Sequence, residues 1–307
     1  NLLILLLLFI MEKFLKVNVE SAGGPTQLVS IKDLKLIEQP TTTTVTLAYG
    51  SGKVITLTWP NGESEPALLN SVQNAVKEAL ALGWTKNDLI LTSPLSFVAT
   101  SNCALYVGAN IDFVDISLET YQIDIVALEL KLKKLQKEGN SIKALIAVDY
   151  AGNPSDWIKL RKLADLYRFT LINDNCHAMG ASYCGNKKYA TEYADVVTQS
   201  YHPVKNITTG EGGAVLTNDA SINQKIRDLR THGIIKDSSR MEEKEGPWYY
   251  EMHDLGFNYR ITEMQCALGV SQLKKLDTFI QRRNEIASYY NLEIEETESV
   301  RKLRVGD

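Results

Sequence analysis

The chain is poor in cysteine, and its cysteines form no recognisable pattern. The four are scattered at positions 103, 176, 184 and 266, without a CxxC pair or a Cys/His cluster of zinc spacing. This excludes a disulfide framework and gives no reason to predict a metal site. Free thiols in a reducing cytoplasm are the simplest interpretation.

An excess of positive charge is also missing, as are long apolar runs. The chain has 33 basic and 37 acidic residues and a net charge of −4, so its composition does not predict binding to nucleic acid. Residues 1–10 are apolar but too short to span a bilayer, and they lack the basic leader of a signal peptide. We expect them to precede the true start at Met11; a membrane anchor is the alternative interpretation.

The segment 11–80 has a sequence pattern that differs from that of the rest of the chain. Apolar residues alternate over 41–49 and again over 53–59, and Gly50-Ser51-Gly52 separates the two runs, which predicts a β-hairpin. Further strands are predicted near 14–19 and 30–37, and helical spacing of apolar residues predicts a helix over 70–82. The segment therefore reads as a small β-rich unit closed by a helix.

From residue 88 onward, strands and helices alternate, which is typical of βαβ units and a largely parallel sheet. The fold class expected is therefore α/β. Strands are predicted at 89–92, 111–116, 142–150, 169–173, 196–200 and 214–217. Helices are predicted at 98–107, 125–136, 157–167, 222–231, 263–273 and 277–290.

Lys205 lies in the most informative run of the chain, residues 200–213. The run follows a predicted strand, opens with Ser200 and ends in the glycine-rich turn 210–213. An amine held at a strand end suits Schiff-base chemistry, because surroundings that lower the pKa of a lysine make it a nucleophile. Taken alone, the same lysine would read as an ordinary exposed one.

Asp174 and His177 follow another predicted strand, 169–173. In open α/β sheets, ligands bind beyond the carboxyl ends of the strands, so both residues stand where a site is expected. The plainer alternative is an aspartate in a turn and a histidine with satisfied hydrogen bonds.

Together these segments resemble the DegT/StrS family of pyridoxal-phosphate-dependent nucleotide-sugar aminotransferases. The resemblance is greatest to the branch that aminates a UDP-linked 4-keto sugar in pseudaminic acid biosynthesis. It covers residues 81–290 and implies the large domain of a fold-type I pyridoxal-phosphate transferase. The segments that carry it are 96–100, 113–116, 149–154, 174–181, 200–213, 255–260 and 272–277.

The resemblance implies a role for each candidate catalytic residue. Lys205 would bind pyridoxal 5'-phosphate covalently and act as acid and base. Asp174 would pair with the pyridinium nitrogen and keep it protonated, because a nearby opposite charge favours the charged form. His177 would approach the phenolic oxygen of the cofactor.

Three more residues would bind the cofactor by the same resemblance. Phe97 would stack on its ring, although a core phenylalanine is the alternative interpretation. Ser200 would bind its phosphate. Asn258, otherwise a plain loop residue, would reach the phosphate of a neighbouring subunit, which implies a homodimer with shared active sites.

The chain departs from the family pattern in two places, so a shared ancestry with the family does not by itself imply full activity. The phosphate-binding turn expected at a helix N-terminus has no match at 66–71. The family continues well past Tyr290 into a small domain, so we expect a large domain at 81–285 and the truncated start of the small domain at 286–307. The chain would then be a fusion joined near 80–83.

The function implied is transfer of an amino group from glutamate to a UDP-linked 4-keto-6-deoxy sugar, in the cytoplasm, for amino-sugar and surface polysaccharide biosynthesis. Dehydration of a nucleotide sugar is a second possibility, but relatives that perform it carry histidine where this chain has Lys205. The third is an inactive, chimeric chain whose N-terminal part is an interaction module like those of phages.

Overall fold

The computed structural model describes residues 15–17, 27–29, 34–41, 44–49, 54–58, 81–295 and 302. The chain divides into two compact units, residues 1–65 and 66–307. The predicted helix over 70–82 lies almost wholly outside the described residues, as do the leader 1–10 and the phosphate-turn segment 66–71.

The first unit contains the predicted hairpin. Strands β4 and β5 pair antiparallel, with Thr46 opposite Thr56, so this prediction is confirmed. β3 pairs with the other edge of β4, and β1 pairs with β2 in a separate two-stranded sheet. The strands are β1 (Leu15–Val17), β2 (Gln27–Val29), β3 (Leu34–Thr41), β4 (Thr44–Tyr49) and β5 (Val54–Thr58).

The second unit contains the mostly parallel sheet that the alternating pattern predicts. Its six strands lie in the order β11-β10-β9-β8-β6-β7, and only β11 runs antiparallel to its neighbour. They are β6 (Leu89–Thr92), β7 (Asn110–Phe113), β8 (Ala144–Val148), β9 (Thr170–Asp174), β10 (Val196–Ser200) and β11 (Gly213–Leu216). Strands β12 (Ile234–Ile235) and β13 (Glu251–Met252) form a small separate pair.

Helices connect the strands, and capping side chains set where several of them begin. Asp124, Asp156, Asp219 and Thr262 each accept a backbone N–H of the first helical turn, which satisfies a donor that the helix itself cannot. The helices are α1 (Ala99–Tyr106), α2 (Ile125–Lys137), α3 (Trp157–Tyr167), α4 (Tyr189–Tyr193), α5 (Ala220–Leu229), α6 (Glu263–Leu273) and α7 (Leu276–Glu293).

Three predicted boundaries need correction. The helix predicted at 222–231 begins at Ala220 because Asp219 caps it. The strand predicted at 111–116 ends at Phe113, since its neighbour β6 ends at Thr92. The strand predicted at 142–150 covers only 144–148, and a 3-10 turn follows it.

The core lies on both faces of the sheet, because successive residues of a strand point to opposite sides. One layer joins the sheet to α2 and α3 through the buried side chains of Leu91, Leu128, Leu145, Trp157, Leu160, Leu171 and Val197. The other joins it to α1 through Ile90, Cys103, Ala104, Ile146, Ile172 and Val196. The sheet is therefore held rigidly between helices.

Strand register brings the carboxyl ends of three strands together. Asp174, the last residue of β9, pairs with Val148 of β8 on one side and with Thr198 of β10 on the other. The residues that follow Val148, Asp174 and Ser200 consequently meet at one edge of the sheet, where open α/β folds bind ligands.

Candidate active site

Asp174 is held by hydrogen bonds to both of its carboxylate oxygens. The Cys176 N–H donates to Oδ1 at 3.2 Å, and the Thr100 hydroxyl donates to Oδ2 at 2.7 Å. Ser96 Oγ lies 2.7 Å from Thr100 Oγ1. Because Thr100 gives its single proton to Asp174, Ser96 is the donor in this second bond. A relay of two hydroxyls thus orients the carboxylate, which remains half-buried.

His177 is a neutral imidazole near neutral pH. Burial lowers the pKa of His177, the positive charge of Lys205 lowers it further, and the carboxylate of Asp174 partly offsets both. The Ala151 N–H donates to Nδ1 at 3.3 Å. Since Nδ1 accepts, Nε2 carries the proton of the neutral ring and is a hydrogen-bond donor.

The 3-10 turn Tyr150–Gly152 supports this histidine. The Tyr150 ring meets the imidazole edge-on at 5.9 Å between centroids. Ala151 adopts a φ of 56°, a conformation that residues with a side chain rarely take. Gly152 has a φ of 83°, and a Cβ on it would stand 3.1 Å from the His177 carbonyl oxygen. The turn is thus fitted closely to the backbone of His177.

The loop that carries Lys205 is tied to the same histidine. Asn206 donates from Nδ2 to the carbonyl oxygens of His177 (3.3 Å) and Met179 (2.7 Å). The Lys205 N–H donates to His202 O at 2.9 Å, and Arg283 donates to Lys205 O at 3.3 Å. Within the described part of the chain, no carboxylate forms an ion pair with the Lys205 amine. The charge of this amine acts on the imidazole, which locates Lys205 near His177.

Comparison with known proteins identifies the family to which the chain belongs. Residues 67–306 match the model of the DegT/DnrJ/EryC1/StrS aminotransferase family. The chain belongs to this family. The match is wider than the 81–290 over which the motifs are recognisable, and it begins close to the division between the two units.

Individual relatives agree with the family match. A UDP-4-amino-4,6-dideoxy-N-acetyl-beta-L-altrosamine transaminase of Campylobacter jejuni is 39% identical over 246 residues, 80% of this chain and 62% of that protein. The structure is similar to that of Helicobacter pylori PseC, an aminotransferase involved in the biosynthesis of pseudoaminic acid. The TM-score is 0.64 at 33% identity, over 75% of this chain and 58% of the other.

A third relative has a ligand in its crystal structure. NtdA of Bacillus subtilis, solved with bound cofactor PMP, is 27% identical, with a TM-score of 0.59 over 72% of this chain and 46% of that protein. These neighbours confirm the expected α/β fold of a fold-type I aminotransferase. The chain spans less than two thirds of the length of the relatives it matches.

The three other predicted site residues are Phe97, Ser200 and Asn258. Phe97 lies just before α1, three residues from Thr100, with its side chain 50% exposed. Ser200 ends β10, and its Oγ accepts the His202 N–H at 3.4 Å. Asn258 lies in the loop between β13 and α6. Its backbone bridges to Thr231, and it lines a groove of about 610 Å³ beside β11.

Two residues that matter to the geometry received no role from sequence reasoning. Thr100 lies within a recognised motif, but its bond to Asp174 joins residues 74 positions apart. Asn206 follows the lysine directly, and its bonds to the 177–179 backbone become visible only in the folded chain. The sequence offered one signal for Asn206, namely that its amide side chain directly follows a candidate catalytic lysine.

Residues 81–295 and 302 contain no group of three or more His, Cys, Asp or Glu side chains arranged to hold a metal ion. No helix in this range is both long enough and apolar enough to cross a membrane.

Proposed function

We propose that the chain carries the cofactor-binding part of a pyridoxal-phosphate-dependent sugar aminotransferase. The observation that carries the proposal is the convergence of Asp174, His177 and Lys205 at the carboxyl edge of the sheet. Family membership and the NtdA structure with bound PMP support the same chemistry.

The residues present fit pyridoxal phosphate. Asp174 has acceptor capacity left after its two protein donors, so it can pair with a protonated ring nitrogen. Phe97 offers a half-exposed ring face, and Lys205 offers an unpaired amine. Ser200 would bind the phosphate. When bound, the cofactor supplies an electron sink for a carbanion.

The protein's own groups then divide the remaining work. The Lys205 Nζ would hold the cofactor covalently and, when free, would take up and return a proton. The His177 Nε2–H would donate a hydrogen bond to the phenolic oxygen of the cofactor, from a ring that stays neutral beside the lysine. The Asp174 carboxylate stabilises positive charge on the ring nitrogen, and Thr100 fixes its direction.

The substrates, partners and location are part of the proposal. We propose glutamate as donor and a UDP-linked 4-keto-6-deoxy sugar as acceptor, since the C. jejuni relative is a transaminase named for a UDP-linked amino sugar. We also propose a homodimer in which Asn258, which lines a groove beside β11, serves the neighbouring active site. None of the four cysteines is in a disulfide, which suits the reducing cytoplasm.

Amine transfer is the test of this function. The full chain, supplied with pyridoxal phosphate, should consume glutamate in excess of the cofactor only when a nucleotide-linked 4-keto sugar is present. Lys205→Arg should abolish the consumption, whereas Lys187→Arg, on an exposed lysine paired with Asp277, should not. Bound cofactor with no amine transfer to any nucleotide keto sugar would refute the sugar aminotransferase activity.

A further inference from the structure

Asp149 is a completely buried carboxylate to which the proposed function gives no role. It follows β8 directly and is fully shielded from solvent. Five hydrogen bonds reach its two oxygens, all from neutral donors. A buried carboxylate is costly unless it is hydrogen-bonded, so this arrangement needs every donor that surrounds it.

The two oxygens of Asp149 serve different parts of the fold. Oδ1 accepts the Ser155 N–H (2.8 Å) and the Trp157 indole N–H (3.0 Å), both at the start of α3. Oδ2 accepts the side-chain amides of Asn173 (3.1 Å) and Asn175 (3.3 Å). One oxygen thus supports a helix, and the other supports the end of β9.

Oδ2 holds both neighbours of Asp174. Asn173 and Asn175 flank that residue, and the Asp149 backbone N–H donates to the Asp174 carbonyl at 3.1 Å. The Tyr189 hydroxyl adds a 2.6 Å bond to the same Oδ2 and also accepts from Asn175. The backbone on either side of Asp174 is therefore fixed by a single carboxylate.

The same network continues to the strand that leads to the lysine. Gln199 of β10 donates to Asn175 Oδ1 at 3.4 Å, and the Tyr201 hydroxyl donates to Gln199 Oε1 at 3.1 Å. Tyr201 directly follows Ser200 and opens the loop to Lys205. A continuous polar chain therefore runs from Asp149 across β9 to β10.

Ionisation of Asp149 sustains the arrangement at neutral pH. Burial raises the pKa of Asp149 to about 6, and the Tyr189 hydroxyl leads the hydrogen bonds that oppose the rise. The carboxylate is therefore mainly charged at pH 7.5 and can accept all five bonds, whereas a proton on either oxygen would weaken the bonds to that oxygen.

We infer that Asp149 is a positioning residue that fixes Asp174 relative to the strand carrying Ser200 and the lysine loop. It touches neither cofactor nor substrate and acts through Asn173 and Asn175. The inference rests on the proposed function, because the position of Asp174 matters only if that carboxylate meets a cofactor nitrogen.

Paired variants separate positioning from general support of the fold. Asn175→Ala removes a bond on the Oδ2 side, next to Asp174, together with the bonds that join Asn175 to Tyr189 and Gln199. Trp157→Phe removes a bond on the Oδ1 side, in the core beneath α3, and leaves the Ser155 bond in place. Both should lower the midpoint of thermal unfolding, and a merely structural role would weaken cofactor binding only in proportion to each variant's loss of stability.

The first readout is the dissociation constant for pyridoxal phosphate, together with the pH midpoint of the bound cofactor's visible absorbance. Asn175→Ala should weaken binding by about tenfold or more, the range that loss of such a supporting partner costs at metal sites, and should shift the midpoint. Trp157→Phe should leave both close to wild type. Equal losses in the two variants, in proportion to lost stability, would overturn the inference.

The second readout needs no cofactor. In the cofactor-free protein, NMR titration gives the pKa of His177, which the Asp174 carboxylate raises. Asn175→Ala should lower this pKa by displacing Asp174, and Trp157→Phe should not. An unchanged pKa in Asn175→Ala would contradict the inference. If wild type binds no pyridoxal phosphate, the proposed function fails, while this titration still decides the role of Asp149.

Discussion

At the scale of the residue, donors around Asp174 decide what its carboxylate can do. Thr100 gives its proton to Oδ2 and receives one from Ser96, so the carboxylate points in one direction before any ligand arrives. A charge-assisted hydrogen bond of this kind is stronger than one between neutral groups. Removing its donor therefore tests the alignment of the site directly.

Thr100→Val should weaken the binding of pyridoxal phosphate, because the near-isosteric valine keeps the packing and deletes the donor to Asp174. The free energy of unfolding should fall by only about 1–2 kcal/mol. Absorbance titration with the cofactor and urea unfolding measure the two effects. Ser96→Ala is the matched control, since it leaves the Thr100 bond intact and should bind the cofactor more tightly than Thr100→Val. The reverse order would contradict the relay.

Lys205→Met should raise the pKa of His177, because the lysine charge is one of the two influences that lower it. NMR titration of the imidazole in the cofactor-free protein measures the change. Lys187→Met, which removes an exposed lysine paired with Asp277, should leave the His177 pKa unchanged. Equal pKa values in wild type and Lys205→Met would show that the amine does not lie beside the imidazole.

The same shift has a consequence for stability. A histidine whose folded pKa is lowered resists protonation in the native state, so it destabilises the fold as pH falls below its ordinary value of about 6.5. Lys205→Met should therefore lose less stability than wild type between pH 7.5 and 5.

At the scale of the element, the turn Tyr150–Gly152 joins β8 to the histidine. Its backbone depends on positive φ values at two successive residues and on a close approach to the His177 carbonyl. Glycine at the second position meets both demands, since it lacks the Cβ that would collide.

Gly152→Ala should destabilise the protein by about 1–2 kcal/mol through the left-handed backbone alone, and further through the contact at 3.1 Å with His177 O. Gly139→Ala is the control, because Gly139 has a similar φ of 74° and open space around its Cβ position. Urea unfolding of both variants isolates the contact. Equal losses of unfolding free energy in the two variants would mean that the contact with His177 O adds nothing to the effect of the left-handed backbone.

Sequence reasoning succeeded where local pattern decides the structure. β6 at Leu89–Thr92 and α3 at Trp157–Tyr167 end where predicted, since apolar periodicity and a capping aspartate act within a few residues. The turn at Tyr150–Gly152 was missed, and its first residue was assigned to the preceding strand. Its conformation depends on His177, which is distant in sequence, and no local propensity places Ala151 at positive φ.

For the site, the pattern indicated the strand ends but not the bonds between them. Asp174 and His177 were expected at the carboxyl edge, and parallel register places them there. The Thr100 relay, the Asn206 bonds and the Asp149 network each join segments far apart in the chain. Such contacts follow from packing, which no spacing along the chain reveals.

At the scale of the whole molecule, membership of the family does not by itself establish the activity of this chain. The family match covers residues 67–306, whereas the chain spans less than two thirds of its relatives. The large-domain sheet nevertheless brings Asp174, His177 and Lys205 to one edge from within this chain. The central claim is therefore that a working Schiff-base site forms here at Lys205.

Mapping the bound cofactor tests that claim most directly. The full chain is incubated with pyridoxal phosphate, reduced with borohydride, digested and analysed by mass spectrometry. We expect a single modified lysine, Lys205, and no modification at that peptide in Lys205→Arg. An unmodified Lys205 in folded protein, or labelling spread evenly over exposed lysines such as Lys187, would contradict it.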